Sequence, residues 1–269
     1  MNVIAISETM GSRGVEIAGM VATALGYEFA EHEIIAKAAD RFGETPTDVA
    51  RAVEDKPTLW ERLRETQHRY MAYVEATLLE MAASGRVVLV GRGAAFVLGR
   101  FPHVLRVRIT APATLRAARV REAQGLTDDG AADWIRDSDS ERASRLKFLY
   151  QRDWDDPLLY DLVLNTERTD VASAADIIAQ TARTERFQLT PAGRLTIRDA
   201  SLAATAKAAL LAHPLTRHLG IVAKTRDGAL VLSGSVGGEE ERAVAEEIVR
   251  RHGDVTRLLN EITTLPRLM

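Results

Sequence analysis

The chain has 269 residues, is 46% hydrophobic and 27% charged, carries a formal charge of −3 and contains no cysteine. That length suits two domains whose cores need no covalent or metal staples, and the lack of thiols excludes disulfides, thiolate metal sites and thiol catalysis. With 24 basic and 29 acidic residues up to position 190, and 11 and 9 beyond it, neither part is basic enough to bind nucleic acid through charge.

From the start, Val3–Ser7 is a short apolar run that reads as a strand and not as a leader. A glycine-containing turn follows. Val15, Ile17, Ala18, Val21, Ala22 and Leu25 then mark one side of a helix that Gly26 is placed to stop. Residues 31–43 and 46–54 also have helical patterns. Pro57 opens a long helix to about Ser84, with an apolar stripe through Trp60, Leu63, Tyr70, Val74, Leu78 and Met81. Val87–Val90 is an unbroken apolar run of the kind buried on both faces of a parallel sheet. A strand over 103–110, helices from Pro112 and over 127–152, a strand over 161–164 and a helix over 170–187 continue the alternation, which predicts an α/β layered fold.

The pattern changes near Leu189. Thr190-Pro191-Ala192-Gly193 reads as a linker. A helix over 199–212, strands over 218–225 and 229–236 joined by the Asp227-Gly228 turn, a helix over 238–252 stopped by Gly253 and a strand over 255–264 make a small α+β unit. The expected division is 1–188 and 195–269, with the second part folding on its own core. No apolar run reaches the roughly 18 residues of a membrane span, so the expectation is a cytoplasmic protein. The six histidines show no metal-ligand spacing and read as surface or capping residues.

Three segments could carry chemistry. Ser7 to Val15 lies between a strand and a helix, where backbone N–H groups and a helix N-terminus can hold phosphate. It lacks the lysine of the pattern G-x-x-x-x-G-K-[ST], since the first lysine of the chain is Lys37. Its plain alternative is a turn that needs glycine for backbone geometry. Arg92, in Gly91-Arg92-Gly93, follows a strand end where α/β sheets bind ligands, and its fork suits a phosphate. The third segment carries Arg116, Arg119 and Arg121 on one helix and Asp139, Arg142, Arg145 and Lys147 on the next. Such arginines either neutralise transferring phosphates or form a solvated, salt-bridged face.

Together these segments resemble the cytidylate kinase-like family. The resemblance rests on Ile-Ser-x-x-x-Gly-Ser-x-Gly-x-x-Ile-Ala from Ile6, Leu-Gly-Tyr-x-Phe from Leu25, Val-Gly-Arg-Gly-Ala at 90–94, Asp-Ser-x-Arg at 139–142 and Tyr-Asp-Leu-Val-Leu-Asn-Thr at 160–166. It covers residues 1 to about 185. It implies a three-layer P-loop kinase fold with a mainly parallel sheet, an insertion near 31–84 and an arginine-bearing lid near 112–150. It also implies ATP and Mg2+ as cofactors and a nucleoside monophosphate, CMP-like, as substrate, with the metal ligands unassigned. Gly11, Ser12, Arg13 and Gly14 would hold the donor phosphates, and Arg92, Asp139 and Arg142 the acceptor. True cytidylate kinases carry a lysine at the position of Gly14 and an aspartate at that of Gly93, so the resemblance is to a divergent branch of the family. Arg13, Arg119 and Arg145 are the unranked catalytic candidates to replace the lysine. Residues from Ile221 to Ile262 resemble a BON module, which implies contact with phospholipid or a partner protein; with no membrane span in the sequence, a regulatory or oligomerising role is the expectation. A nucleotide-sensing regulator without catalysis, and a kinase of another small phosphorylated acceptor, remain as rival readings.

Overall fold

A computed structural model describes residues 2–54, 62–252 and 255–265. In chain order the elements are β1 (Val3–Glu8), α1 (Gly14–Leu25), β2 (Glu28–Ala30), α2 (His32–Phe42), α3 (Pro46–Glu54), α4 (Arg62–Ser84), β3 (Val87–Val90), α5 (Ala94–Val97), β4 (Val104–Thr110), α6 (Ala113–Gln124), α7 (Asp128–Tyr150), β5 (Leu162–Asn165), α8 (Val171–Arg183), α9 (Pro191–Ala212), β6 (Val222–Arg226), β7 (Ala229–Val236), α10 (Glu239–His252) and β8 (Leu258–Thr264). They form two compact units, Met1–Glu31 with Ser84–Thr190, and His32–Ala83 with Pro191–Met269.

The first unit holds a five-stranded parallel sheet in the order β2-β3-β1-β4-β5. β1 is central, and Val3 to Ile6 are completely buried, as are Val87 to Leu89 in β3 to within 1%. Their unbroken apolar sequence follows from burial on both faces. Ile4, Ile6, Val88, Val90, Leu105, Val107 and Ile109 pack with Ile17 and Val21 of α1 and with Ala174 and Ile178 of α8. Each such buried aliphatic side chain stabilises the unit by about 1.5–3 kcal/mol relative to exposure. Gly26 ends α1 in the left-handed region at φ 64°, where its N–H reaches back to the last turn. The short strand β2 and helix α5 were not anticipated from sequence.

In the second unit β6 and β7 form an antiparallel hairpin, and β8 pairs parallel to β7. Asp227 and Gly228 both have positive φ (51° and 72°), the geometry expected of an Asp-Gly hairpin turn. Leu210 of α9, Leu230 and Leu232 of β7, Ala245 and Ile248 of α10 and Ile262 of β8 share one core. Helices α2–α4, expected as an insertion of the kinase part, group with this C-terminal segment. Lys207 of α9 pairs with Glu75 of α4 at 3.3 Å, and the Arg41 guanidinium of α2 donates to the His252 carbonyl at 3.3 Å.

Three expectations are corrected. The stretch Thr190 to Gly193, expected as a linker, is where α9 begins: Pro191 is its first residue, a position that suits a fixed φ and a missing N–H. The strand expected over 218–225 is shifted to Val222–Arg226, because residues 213–219 turn back, Thr216 Oγ1 donating to the Leu210 carbonyl at 2.6 Å. The last strand begins at Leu258 and not at 255. The proposed helix start at Pro57, the stripe residue Trp60 and the helix stop at Gly253 lie outside the described residues, as does the side chain of Leu63. Among the described residues no helix is long and apolar enough to cross a membrane.

Candidate functional site

The site is assembled at the C-terminal end of the central strand, where parallel α/β sheets bind ligands. After β1 the chain turns over Thr9–Arg13 and enters α1. The Thr9 N–H donates to the Ile109 carbonyl and the Ser12 N–H to the Thr9 carbonyl, both at 3.1 Å. Gly11 sits at φ 76°, and a Cβ there would lie 2.8 Å from the Arg116 carbonyl, so both the backbone angle and the close approach demand glycine. Arg13 takes the left-handed conformation (φ 64°, ψ 24°) at the N-cap of α1 and offers no side-chain cap.

The carbonyls of this turn are held by arginines of α6 and α7. Arg142 Nη1 donates to the Glu8 carbonyl at 2.7 Å, Arg116 Nη1 to Met10 at 3.2 Å, and Arg119 Nη1 to Gly11 at 3.1 Å. Arg119 also donates to Thr166 Oγ1 (3.0 Å) and its carbonyl (2.8 Å), while Thr166 Oγ1 donates to the Ser12 carbonyl at 2.9 Å. The carbonyls of Glu8, Met10, Gly11 and Ser12 are thus all held by side chains of α6, α7 and Thr166. The Glu8 carboxylate lies against the start of α1, where it would overlap a Cβ on Gly14. Ser12 is fully buried, and its Oγ has no hydrogen-bond partner among the described residues.

Arg116 is itself buried. Its Nη1 and Nη2 hold Asp139 at 3.2 and 2.7 Å, and its Nε donates to the Ala111 carbonyl at 2.9 Å. Beneath the turn Arg108 of β4 donates to Ser7 Oγ (3.2 Å) and Asp155 (2.9 Å), with its guanidinium 3.6 Å from the centroid of Trp154. Burial pulls the Arg108 guanidinium below its ordinary range. Burial, and then the neighbouring charge of Arg13, do the same to Arg119. Two cations that disfavour each other beside a helix N-terminus form a setting that an anion relieves.

Gly11, Ser12, Arg13 and Gly14 are thus brought together as one turn. Asp139 and Arg142 lie over it on α7, Asp139 paired with Arg116 and Arg142 on the Glu8 carbonyl. Arg119 braces Gly11 and Thr166, Arg145 is half-buried one turn beyond Arg142, and Arg13 is exposed. Arg92 stands at the end of β3 at φ 51°, between Gly91 and Gly93, both also at positive φ. A left-handed arginine is costly and concentrates at functional sites. The tyrosine ring of Tyr150 stacks on Phe96 (5.4 Å, 17°), and its hydroxyl would lie 2.7 Å from a Cβ on Gly93.

Sequence reasoning assigned no role to Glu8, Arg108, Trp154 or Thr166. β4 carries two arginines, Arg106 and Arg108, and nothing in its sequence tells the buried one from the one paired at the surface with Asp161. Nothing local marks Trp154 as the cover of Arg108, because the contact spans 46 positions.

A parallel sheet in this order, a glycine-bearing turn after its central strand and two arginine-bearing helices gripping that turn define a P-loop kinase fold of the nucleoside-monophosphate kinase type. The chain belongs to the cytidylate kinase-like family, whose sequence model matches residues 3–168; that of the BON domain matches 198–266. The cytidylate kinase of Methanocaldococcus jannaschii is 32% identical over 109 residues, which are 39% of this chain and 61% of that enzyme, so the chain spans about three-fifths of that relative's length. The cytidylate kinase of Haloarcula marismortui is 28% identical over 169 residues, 62% of this chain and 82% of that enzyme. Among solved structures, an uncharacterized protein from Eubacterium ventriosum has a TM-score of 0.55 at 19% identity, covering 69% of this chain and 100% of that one, a likeness in fold.

Proposed function

We propose that the chain is an ATP-dependent kinase of a pyrimidine nucleoside monophosphate, CMP by family, with a C-terminal BON domain that tunes activity or association. The observation that carries this reading is the turn from Glu8 to Gly14, whose Glu8, Met10 and Gly11 carbonyls are held by Arg142, Arg116 and Arg119 while the start of α1 lies against an anionic group, the Glu8 carboxylate. Backbone donors fixed in this way stabilise phosphate charge with no reorganisation during transfer. Arg92, beyond β3, would take the acceptor phosphate. Arg142 and the Arg116–Asp139 pair would hold α7 over the acceptor. Arg13 is the exposed member of the three arginines that could stand in for lysine; Arg119 would act by holding the loop. Mg2+ supplies charge neutralisation when bound with nucleotide. Among the described residues no group of three histidine or carboxylate side chains is placed to hold a metal, so the ion would be carried chiefly by the phosphates.

The absence of the loop lysine favours one second reading, a protein that binds nucleotide without turnover. A coupled assay of ADP formation with ATP, Mg2+ and CMP, UMP or dCMP, run beside calorimetric titration of ATP, separates the two. Turnover with any of these acceptors supports the kinase; ATP binding with no turnover supports the sensor. A folded protein that binds no ATP at millimolar concentration refutes both.

A further inference from the structure

In the pattern G-x-x-x-x-G-K, the position of the lysine is Gly14 and that of the first glycine is Glu8. The two departures meet in space. Glu8 turns its side chain back onto the start of α1, so that its carboxylate lies against Gly14. A Cβ on residue 14 would lie 2.6 Å from the Glu8 Cβ and would overlap a carboxylate oxygen. A lysine at 14 and a glutamate at 8 therefore exclude each other on this backbone. Arg13 supplies no side-chain cap, and the Glu8 carboxylate beside the first turn complements the positive end of the helix.

The helix start against which Glu8 lies is where a loop of this kind presents its N–H groups to phosphate. A carboxylate and a phosphate oxygen cannot both take them, and two anions at one helix end repel. Nearby, the buried Ser12 hydroxyl is a further donor without a partner among the described residues. We propose that Glu8 sets the affinity of this loop for nucleotide: its carboxylate stands in for phosphate at the start of α1, and phosphate binds by displacing it. This rests on the reading of Gly11–Gly14 as the donor-phosphate loop. Burial of Glu8 and the charge of Glu31 raise its pKa, against the charge of Arg142 and the backbone at the start of α1, which lower it, and the net effect is a carboxylate more easily neutralised than an exposed one.

The test is isothermal titration of the full chain with Mg2+–ATP and, separately, with tripolyphosphate, comparing wild type with Glu8→Gln and Glu8→Ala. Both variants are expected to bind both probes at least about tenfold more tightly, because a charge-assisted contact no longer has to be given up. A gain in affinity is a readout that structural damage does not produce. Melting curves give a second measure: without ligand the variants melt below wild type, since the favourable negative charge at the helix start is lost, and saturating tripolyphosphate raises their Tm by more than it raises that of wild type. Binding to wild type with equal or weaker binding to folded Glu8→Gln, or a smaller ligand-induced rise in Tm, overturns the role of Glu8 and leaves the phosphate loop standing. If neither probe binds any of the three proteins, the phosphate-loop reading itself fails and the Glu8 proposal fails with it.

Discussion

Replacing Arg116 with methionine keeps most of the side-chain volume and removes a cation on which four contacts converge. Arg116 is 6% exposed, and its bidentate partner Asp139 is 29% exposed. The change leaves Asp139 without its counter-charge and the Ala111 and Met10 carbonyls without their donors. Breaking a buried ion pair from one side costs about 3–5 kcal/mol. Asp139 can regain part of its hydration, which places the expected loss near the lower end, about 3 kcal/mol. Asp139→Asn keeps one acceptor oxygen and should cost less, about 1–2 kcal/mol. Because both changes remove the same interaction, the double variant should lose less than the two single losses added together, by about 1 kcal/mol or more. Urea titration of the full chain, followed by circular dichroism and by tryptophan fluorescence, measures all three. A loss under about 1 kcal/mol for Arg116→Met, or additivity within about 0.5 kcal/mol, would refute the claim that this pair anchors α6, α7 and the turn to one another.

Two further outcomes are expected. Gly14→Ala should destabilise the chain by about 1–3 kcal/mol through overlap with Glu8, and Glu8→Gly in the same chain should recover most of that loss; thermal melts that show no recovery would mean that the strain lies elsewhere. Asp161 accepts from Arg106 Nε, Nη2 and the backbone N–H at 3.1, 2.8 and 2.9 Å. Burial pushes its carboxyl up, but these bonds and the charge of Arg106 outweigh burial and hold it below the usual carboxylate range. The resulting stabilisation is complete above the unfolded value of about 3.9 and is lost as pH falls through the lower native value. Asp161→Asn should therefore flatten the acid limb of stability against pH, and an unchanged limb would contradict this assignment.

The parts of the fold that sequence reasoning reached are those whose causes are local. Val87–Val90 declares a strand buried on both faces, and Asp227-Gly228 declares a hairpin turn, because each pattern reflects its own backbone. β2 does not declare itself: three residues with a single fully buried member, Ala30, carry no period. The start of α9 was hidden because Thr-Pro-Ala-Gly reads as a linker, although proline is compatible with the first turn of a helix. In the site, the location of the loop and its arginines was legible, but their partners were not. An arginine run looks the same whether its side chains face phosphate or, as for Arg116, Arg119 and Arg142, grip loop carbonyls. The burial of Arg108 depends on Trp154, and the placement of Glu8 on the bare Cα of Gly14, relations that exist only once the chain is folded.

The grouping of α2–α4 with the C-terminal segment bears on how the chain matures. Its path enters the second unit at His32, leaves it at Ala83 and returns at Pro191, so residues 84 to 190 intervene between the halves of that unit. During synthesis, α2–α4 emerge long before the segments that complete their packing. Closing a flexible loop of that length costs roughly 4 kcal/mol before any long-range contact is gained. Folding of the parallel sheet first would fix most of the intervening chain and lower that cost. A chain halted before Pro191 would hold three amphipathic helices with half of their companion unit missing.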